Sequence, residues 1–265
     1  MATTGLHYVR ASPVAGLAVA ERRVVDPRAT VVAVHGALDR ASSFARLARR
    51  LTDFDAVTYD RRGYQVSRDL VPVDFTHHVD DLLAIVADEA RRLPVIVFGH
   101  SFGGLVAWGA ALREPTVMRL CVNYETPLPW VVARTGAREA LAHNPDDEVE
   151  HFFRRVVSNE SWDRLSELQR ESRRRDGAAL RRDLATVRDP TPPFDIANLT
   201  VPTIYAYGDG ATSDYYRRLA MTLTATNDHV RSERVGHADH AAHLTVPDRL
   251  ATLIRHGWEL ACASA

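Results

Sequence analysis

The sequence predicts an α/β fold, a mostly parallel central sheet flanked by helices and interrupted once by a helical insertion. Three observations carry this. Continuous β-branched runs recur along the chain, as expected of strands covered on both faces. Segments of helical spacing alternate with them, the pattern that builds parallel sheets. One long stretch, from about Pro127 to Asp195, breaks the rhythm: it has no strand pattern and is crowded with Arg, Glu and Asp.

The bulk properties set the frame. A chain of 265 residues can bury one large core. Its 46% hydrophobic and 25% charged residues place it with ordinary globular proteins. A formal net charge of -1 gives no field that would draw nucleic acid or an anionic membrane, so neither is expected as a partner. Every basic residue is Arg and none is Lys, which fits genome composition rather than a function. Two cysteines, Cys121 in an apolar run and Cys262 near the C-terminus, do not make a disulfide framework and suit a reducing, cytoplasmic setting. Arg10, Ser12 and Pro13 interrupt the N-terminal apolar residues, so no signal peptide is expected, and no run is long enough to span a membrane.

The elements follow in order. Leu6–Ala11 and Leu17–Val24 alternate around a Ser-Pro turn and suggest an antiparallel hairpin. "TVVAVHG", 30–36, is a buried strand, after which Ser42 is placed to cap a helix through Arg50. "AVTYD", 56–60, is the next strand. Thr76 to Leu93 is helical, with Val79, Leu82, Leu83, Val86 and Ala90 on one face. "PVIVFGH", 94–100, is a strand that runs into a helix from Ser101 to Arg113. "MRLCVNYE" (118–125), "PTIYAYG" (202–208) and "HVRSERV" (229–235) are the remaining strands, and Pro247 opens a C-terminal helix. Within the insertion, Phe152, Phe153, Val156 and Val157 form one apolar stripe and Leu165 and Leu168 another. The domain organisation is therefore a core of residues 1–126 and 196–265 with a helical lid, 127–195.

The chemistry concentrates in "VFGHSFGGL", Val97 to Leu105. A strand entering a helix through G-x-S-x-G is a nucleophile elbow. Gly99 and Gly103 leave room for the close approach such a turn demands. The serine then stands at a helix N-terminus, where free N–H groups and partial positive charge favour an oxyanion.

With this motif, "VHGAL" (34–38), "YDRRGY" (59–64), "VPTIYAYGD" (201–209) and "DHAAHLTVPDRLA" (239–251) make the chain resemble the α/β-hydrolases over nearly its whole length. The resemblance implies the α/β-hydrolase fold, Ser101 as nucleophile, and an oxyanion hole from the backbone N–H groups of Ala37 and Phe102. A serine at the elbow argues against haloalkane dehalogenase or epoxide hydrolase chemistry, since those relatives carry Asp there. One departure is "RRGYQVSRD": Gln65 and Val66 replace a Gly-containing pair, which puts that loop's conformation in question.

Three histidines, His237, His240 and His243, follow the last strand. The nucleophile needs a base whose pKa lies near working pH. His240 lies seven residues before Pro247, the spacing the resemblance implies, and is assigned; His237 is the alternative. A metal cluster of His237, Asp239, His240 and His243 has suitable ligand chemistry, but nothing else in the sequence asks for a metal or cofactor. The spare histidines are expected to be partly exposed. His77, His78, Asp80 and Asp81 are expected to be a solvated helix start.

The acid is less plainly written. The position where the family usually carries Asp, three residues past Gly208, is Ala211. Asp209 and Asp214 have different spacings. Glu125 ends the preceding strand, where some members of the family place their acid. Any carboxylate able to orient the imidazole and stabilise its cation suffices. Glu125 is assigned, with Asp209 and Asp214 as alternatives.

Tyr124, Leu128, Trp130, Phe152, Phe153 and Trp162 are candidates to line an apolar cavity under the lid. The Arg run at 170–183 is most simply a solvated helix face. A covered apolar site suggests a medium-sized hydrophobic ester or lactone. The expected protein is a cofactor-independent serine hydrolase working through an acyl-enzyme. The alternatives are the same triad on an amide or carbon–carbon bond, a perhydrolase or acyltransferase, and a ligand-binding member without turnover. Oligomeric state is not written in the sequence.

Overall fold

Residues 5–9, 12–72, 74–134, 144–189, 191–210 and 212–263 are described by a computed structural model. The chain folds into one eight-stranded sheet: β1 His7–Tyr8, β2 Val19–Arg22, β3 Thr30–Val34, β4 Asp55–Tyr59, β5 Val95–His100, β6 Leu120–Tyr124, β7 Thr203–Tyr207 and β8 Val230–Arg234. The spatial order is β1-β2-β4-β3-β5-β6-β7-β8. The first two strands pair antiparallel, as the opening hairpin predicts; β4, β3 and β5 to β8 are mutually parallel. Arg10 and Ala11 of that hairpin, Ala211, and residues 135–143 and 190 of the insertion lie outside the described residues.

Ten helices occur among the described residues: α1 Ala45–Arg50, α2 Phe75–Ala90, α3 Phe102–Arg113, α4 Pro145–Val156, α5 Asn159–Asp163, α6 Glu167–Arg174, α7 Gly177–Arg188, α8 Ser213–Thr226, α9 Ala242–Thr245 and α10 Pro247–Ala263. Strand periodicity divides the core. Val95 and Val97 of β5 pack with α2, α3 and α8 on one face. Ile96 and Phe98 turn the other way, toward α1 and α10. Each such aliphatic side chain taken from water contributes about 1.5–3 kcal/mol, which is why these strands carry unbroken apolar runs.

Two local expectations need correction. Ser42 caps nothing: residues 41–44 form a short 3-10 turn, and α1 starts behind Phe44 without a side-chain cap. On α2, Ala90 is exposed and Ile85 completes the buried face instead. Helix α2 is capped by Asp74, whose carboxylate accepts the Thr76 N–H at 2.8 Å.

The topology creates the site. From β3 the chain crosses to β4 on one side, then returns to β5 on the other. Ligands in such sheets bind outside the carboxyl ends of the strands where the order reverses. The loop after β3 and the turn after β5 meet at that point: a Cβ added to Gly36 would lie 3.0 Å from Ser101 Cβ. Helices α4 to α7 form the insertion between β6 and β7. They build a small core of their own, where Val149, Phe153, Trp162, Leu180 and Leu184 pack on Leu38 of the post-β3 loop. Three expected stripe positions do not join it: Val156 is half-buried outside that cluster, Val157 is exposed, and so is Leu168, at 84%.

Candidate active site

Ser101 sits between β5 and α3 with φ 52° and ψ −123°, a left-handed conformation that L-residues rarely adopt. The surrounding structure holds it there. Its N–H donates to the Tyr124 carbonyl at 2.9 Å, and its carbonyl accepts the Gly104 N–H at 2.9 Å. The turn is possible only with small neighbours. A Cβ on Gly103 would stand 2.1 Å from the Val34 carbonyl oxygen, and one on Gly99 would stand 2.5 Å from Gly104 Cα.

Glu125 follows β6 and also has positive φ, 47°. It is fully buried. Its Oε2 lies 2.6 Å from His240 Nδ1, and its Oε1 accepts the Gly208 N–H at 3.1 Å. The acid is thus fixed by β7 while it holds the ring. A carboxylate is an acceptor, so Nδ1 carries the shared proton and Nε2 is left with its lone pair. Asp209, the first alternative, is turned away: it accepts the His237 N–H at 2.8 Å and pairs with Arg234 at 2.9 Å. That N–H and the Arg234 charge hold its carboxyl below the usual range. Asp214 pairs with Arg217 and Arg218 on the outer face of α8. His237 has no part in the Glu125 contact.

The loop bearing His240 is gripped from the strand ends. His100 Nε2 donates to the His240 carbonyl at 2.8 Å, and the Tyr124 hydroxyl donates to the Asp239 carbonyl at 2.7 Å. The His240 ring lies between His100, at 4.9 Å between centroids, and Tyr216, stacked at 6.1 Å and 10°. Among the described residues Ser101 Oγ makes no hydrogen bond to His240. The N–H groups of Ala37 and Phe102 make no backbone hydrogen bond, so both are available to a ligand at the serine.

The sequence profile of the Alpha/beta hydrolase family matches residues 31–253, most of the chain. The chain belongs to the alpha/beta hydrolase family. Relatives agree at low identity. The chain is 27% identical over 217 residues to a pimeloyl-[acyl-carrier protein] methyl ester esterase of Serratia marcescens, covering 74% of this chain and 80% of that one. It is 33% identical over 99 residues to a monoacylglycerol lipase of Mycolicibacterium smegmatis, a match spanning 34% of this chain and only 35% of that protein. An alpha/beta hydrolase of Sphaerobacter thermophilus DSM 20745 superposes with a TM-score of 0.72 at 24% identity, over 95% of this chain and all of that one; it speaks for the fold.

This α/β-hydrolase carries side chains near the site that sequence reasoning did not single out. Asp39 Oδ2 lies 3.2 Å from His243 Nε2 and 4.0 Å from His100 Nδ1. Burial alone would raise the Asp39 carboxyl, yet it lies below its ordinary range, chiefly through His243. Burial, with His243 and His240 close by, pushes His100 well down, so it stays neutral. These three residues offer donor atoms within 4.8 Å of one another, enough to bring a metal to mind. Among the described residues no fourth such donor joins them. His243 is buried, against the expectation of a partly exposed spare histidine. The His77–Asp81 group is likewise only half solvated: His78 and Asp81 are buried, Asp81 holding Arg62 at 2.6 Å. The hint for His100 was its place beside Ser101; nothing in the sequence announced Asp39.

The candidate lining residues divide. Tyr124 packs on the far face of the sheet, toward α10, because strand alternation sends it there with Leu120 and Val122. Leu128 and Trp130 join the core under α3 and α8. Phe152, Phe153 and Trp162 belong to the insertion's core beside Ala37 and Leu38. A cleft of about 450 Å³ opens between α2 and α7, lined by Phe75, His78, Asp183 and Thr186 among others. Ser101 and His240 do not line it. Gln65 keeps a positive φ of 46°, as a glycine there would, and its side-chain amide clasps Asp176 of the insertion. No helix among the described residues is long and apolar enough to cross a membrane.

Proposed function

We propose that this chain is a serine hydrolase that cleaves a carboxylic ester or lactone of medium size and largely apolar character through an acyl-enzyme. The observation that carries the proposal is the 2.6 Å contact of Glu125 with His240 Nδ1, on a loop beside a serine held at positive φ. The buried carboxylate fixes the tautomer that leaves Nε2 basic. Ser101 Oγ attacks the carbonyl carbon as Nε2 takes its proton. The oxygen that becomes anionic sits at the N–H groups of Ala37 and Phe102, at the start of α3. The imidazolium returns its proton to the leaving alkoxide, which departs as the alcohol, or stays attached in a lactone. Water, deprotonated by Nε2, then attacks the acyl carbon and frees Ser101 and the acid. The Ser101–His240 hydrogen bond forms when substrate is bound, as such contacts commonly tighten only in the complex.

The apolar preference is supported by the insertion. Its Phe153 and Trp162 cluster covers Leu38 and borders Ala37, so a bound acyl or alcohol group would meet hydrocarbon beside the oxyanion site. In this reading residues 127–195 act as a lid on a core made of the rest. The esterase and lipase names among the relatives point the same way.

The test is intact-mass analysis after fluorophosphonate treatment. A single adduct on wild type, absent in Ser101→Ala, is expected. A folded wild type without an adduct would overturn the proposal. A panel of p-nitrophenyl esters, lactones, anilides and β-diketones then separates bond types, with turnover expected on the first two.

A further inference from the structure

Arg61 is buried at 0% exposure, yet it lies neither in the sheet nor in the Ser101–His240–Glu125 set. Its contacts converge on two successive peptide units. Nη2 donates to the Gly36 carbonyl at 3.2 Å, and Nε donates to the His35 carbonyl at 3.0 Å. Its backbone N–H donates to His35 Nε2 at 2.9 Å, so His35 holds its proton on Nδ1, which donates to the same Gly36 carbonyl at 2.7 Å. Burial, and then the Arg61 charge, push His35 down to about 3, consistent with this neutral tautomer.

The Gly36 carbonyl and the Ala37 N–H belong to one planar peptide, and the chain contains no cis bond among the described residues. The C=O and N–H of a trans peptide point in opposite directions. Two donors that pin the Gly36 oxygen on one side therefore fix the Ala37 N–H on the other, and Gly36 itself packs against Ser101. The Arg61 guanidinium also lies 4.7 Å from the centre of the Phe102 ring, the residue that carries the second free N–H.

The far side of Arg61 faces the insertion. Asp183 on α7 receives Nη2 at 2.5 Å and Nη1 at 3.3 Å, a two-pronged pair, and accepts the Tyr64 hydroxyl at 2.6 Å. His78 Nε2 is 3.7 Å away and is kept neutral by burial and by Arg61. A buried ion pair costs about as much to desolvate as it returns, so stability alone is a poor reason for this one.

We propose that Arg61 is a positioning residue that holds the Gly36–Ala37 peptide in its oxyanion-binding orientation, with the lid setting Arg61 through Asp183. The proposal rests on the serine hydrolase reading above. It makes the oxyanion hole complete only while α7 is docked, so the lid contributes to turnover as well as to substrate choice.

The experiment uses the full-length chain and two variants. Arg61→Met/Asp183→Leu removes both charges together, so that neither is left buried without its partner. Arg61→Lys keeps the charge, but one ammonium cannot serve the Gly36 and His35 carbonyls and Asp183 together. Fluorophosphonate labelling of wild type comes first; its failure removes the serine hydrolase reading itself. With labelling in hand, kcat and KM on p-nitrophenyl butyrate are compared with Ki for a trifluoromethyl ketone, whose serine adduct carries the oxyanion. Folding is followed by circular dichroism. The double variant is expected to lose about 100-fold in kcat, the loss associated with one oxyanion donor. KM should change by less than about threefold, and Ki should rise in step with the loss of kcat/KM. If the double variant does not fold, Arg61→Lys decides, with a loss of about tenfold in kcat expected. A folded variant with wild-type kcat and Ki, or a loss confined to KM, would overturn the proposal.

Discussion

Glu125 and Asp209 follow neighbouring strands, and only the first reaches the imidazole. Asp209 is spent on the His237 N–H and Arg234. Glu125→Gln is therefore expected to lower kcat by about 100- to 10,000-fold on the best ester found, because the wrong tautomer of His240 becomes as accessible as the right one. Asp209→Asn should stay within about threefold. Steady-state kinetics of both variants check this, and the opposite ranking would reassign the acid. Ser101 and His240 were legible because short motifs and fixed spacings announce them. Glu125 was legible as a carboxylate at a strand end, although two rivals had similar claims. Asp39, His100 and His243 were not, because their partnership depends on three loops meeting above the sheet. No local pattern records that a carboxylate after β3 will face an imidazole from the start of α9.

The inner strands β3 to β7 were readable almost residue by residue, since each is buried along nearly its whole length and shows it as an apolar run, while β1 and β8 at the edges are largely exposed and show none. The insertion was readable only as helical. Its apolar residues serve two masters, their own small core and the loop after β3, and spacing alone does not say which. Leu168 is expected on a stripe and stands in solvent, while Leu180 and Leu184 do the packing. Trp162 is the largest side chain of that small core, at 1% exposure, with its ring 5.3 Å from that of Phe153. Trp162→Ala should cost about 3–5 kcal/mol of local stability. Because β3 to β8 do not depend on it, the loss should appear as faster hydrogen exchange and proteolysis in α4 to α7. Equal loosening of the sheet and the insertion would contradict this division.

Burial of neutral histidines gives the protein a pH dependence. His35 is pushed down to about 3, and His78 and His100 lie well below the ordinary 6.5, each chiefly through burial. Below pH 6.5 the unfolded chain binds protons that the folded chain refuses. Stability is thus fully present above about pH 6.5 and is lost as the pH falls, by up to about 1.4 kcal/mol per pH unit for each histidine. Urea unfolding at pH 8, 7, 6 and 5 should show a plateau followed by a steep decline, and a flat profile down to pH 5 would contradict neutral burial. The position of the insertion has a separate consequence. Ser101, Glu125 and His240 all come from outside residues 127–195. A foreign helical segment could be grafted there without displacing any of them. One carboxylate restricts the choice. A graft with no acid to meet Arg61 would strand a guanidinium in the interior, so only donors that bring their own counter-charge are compatible.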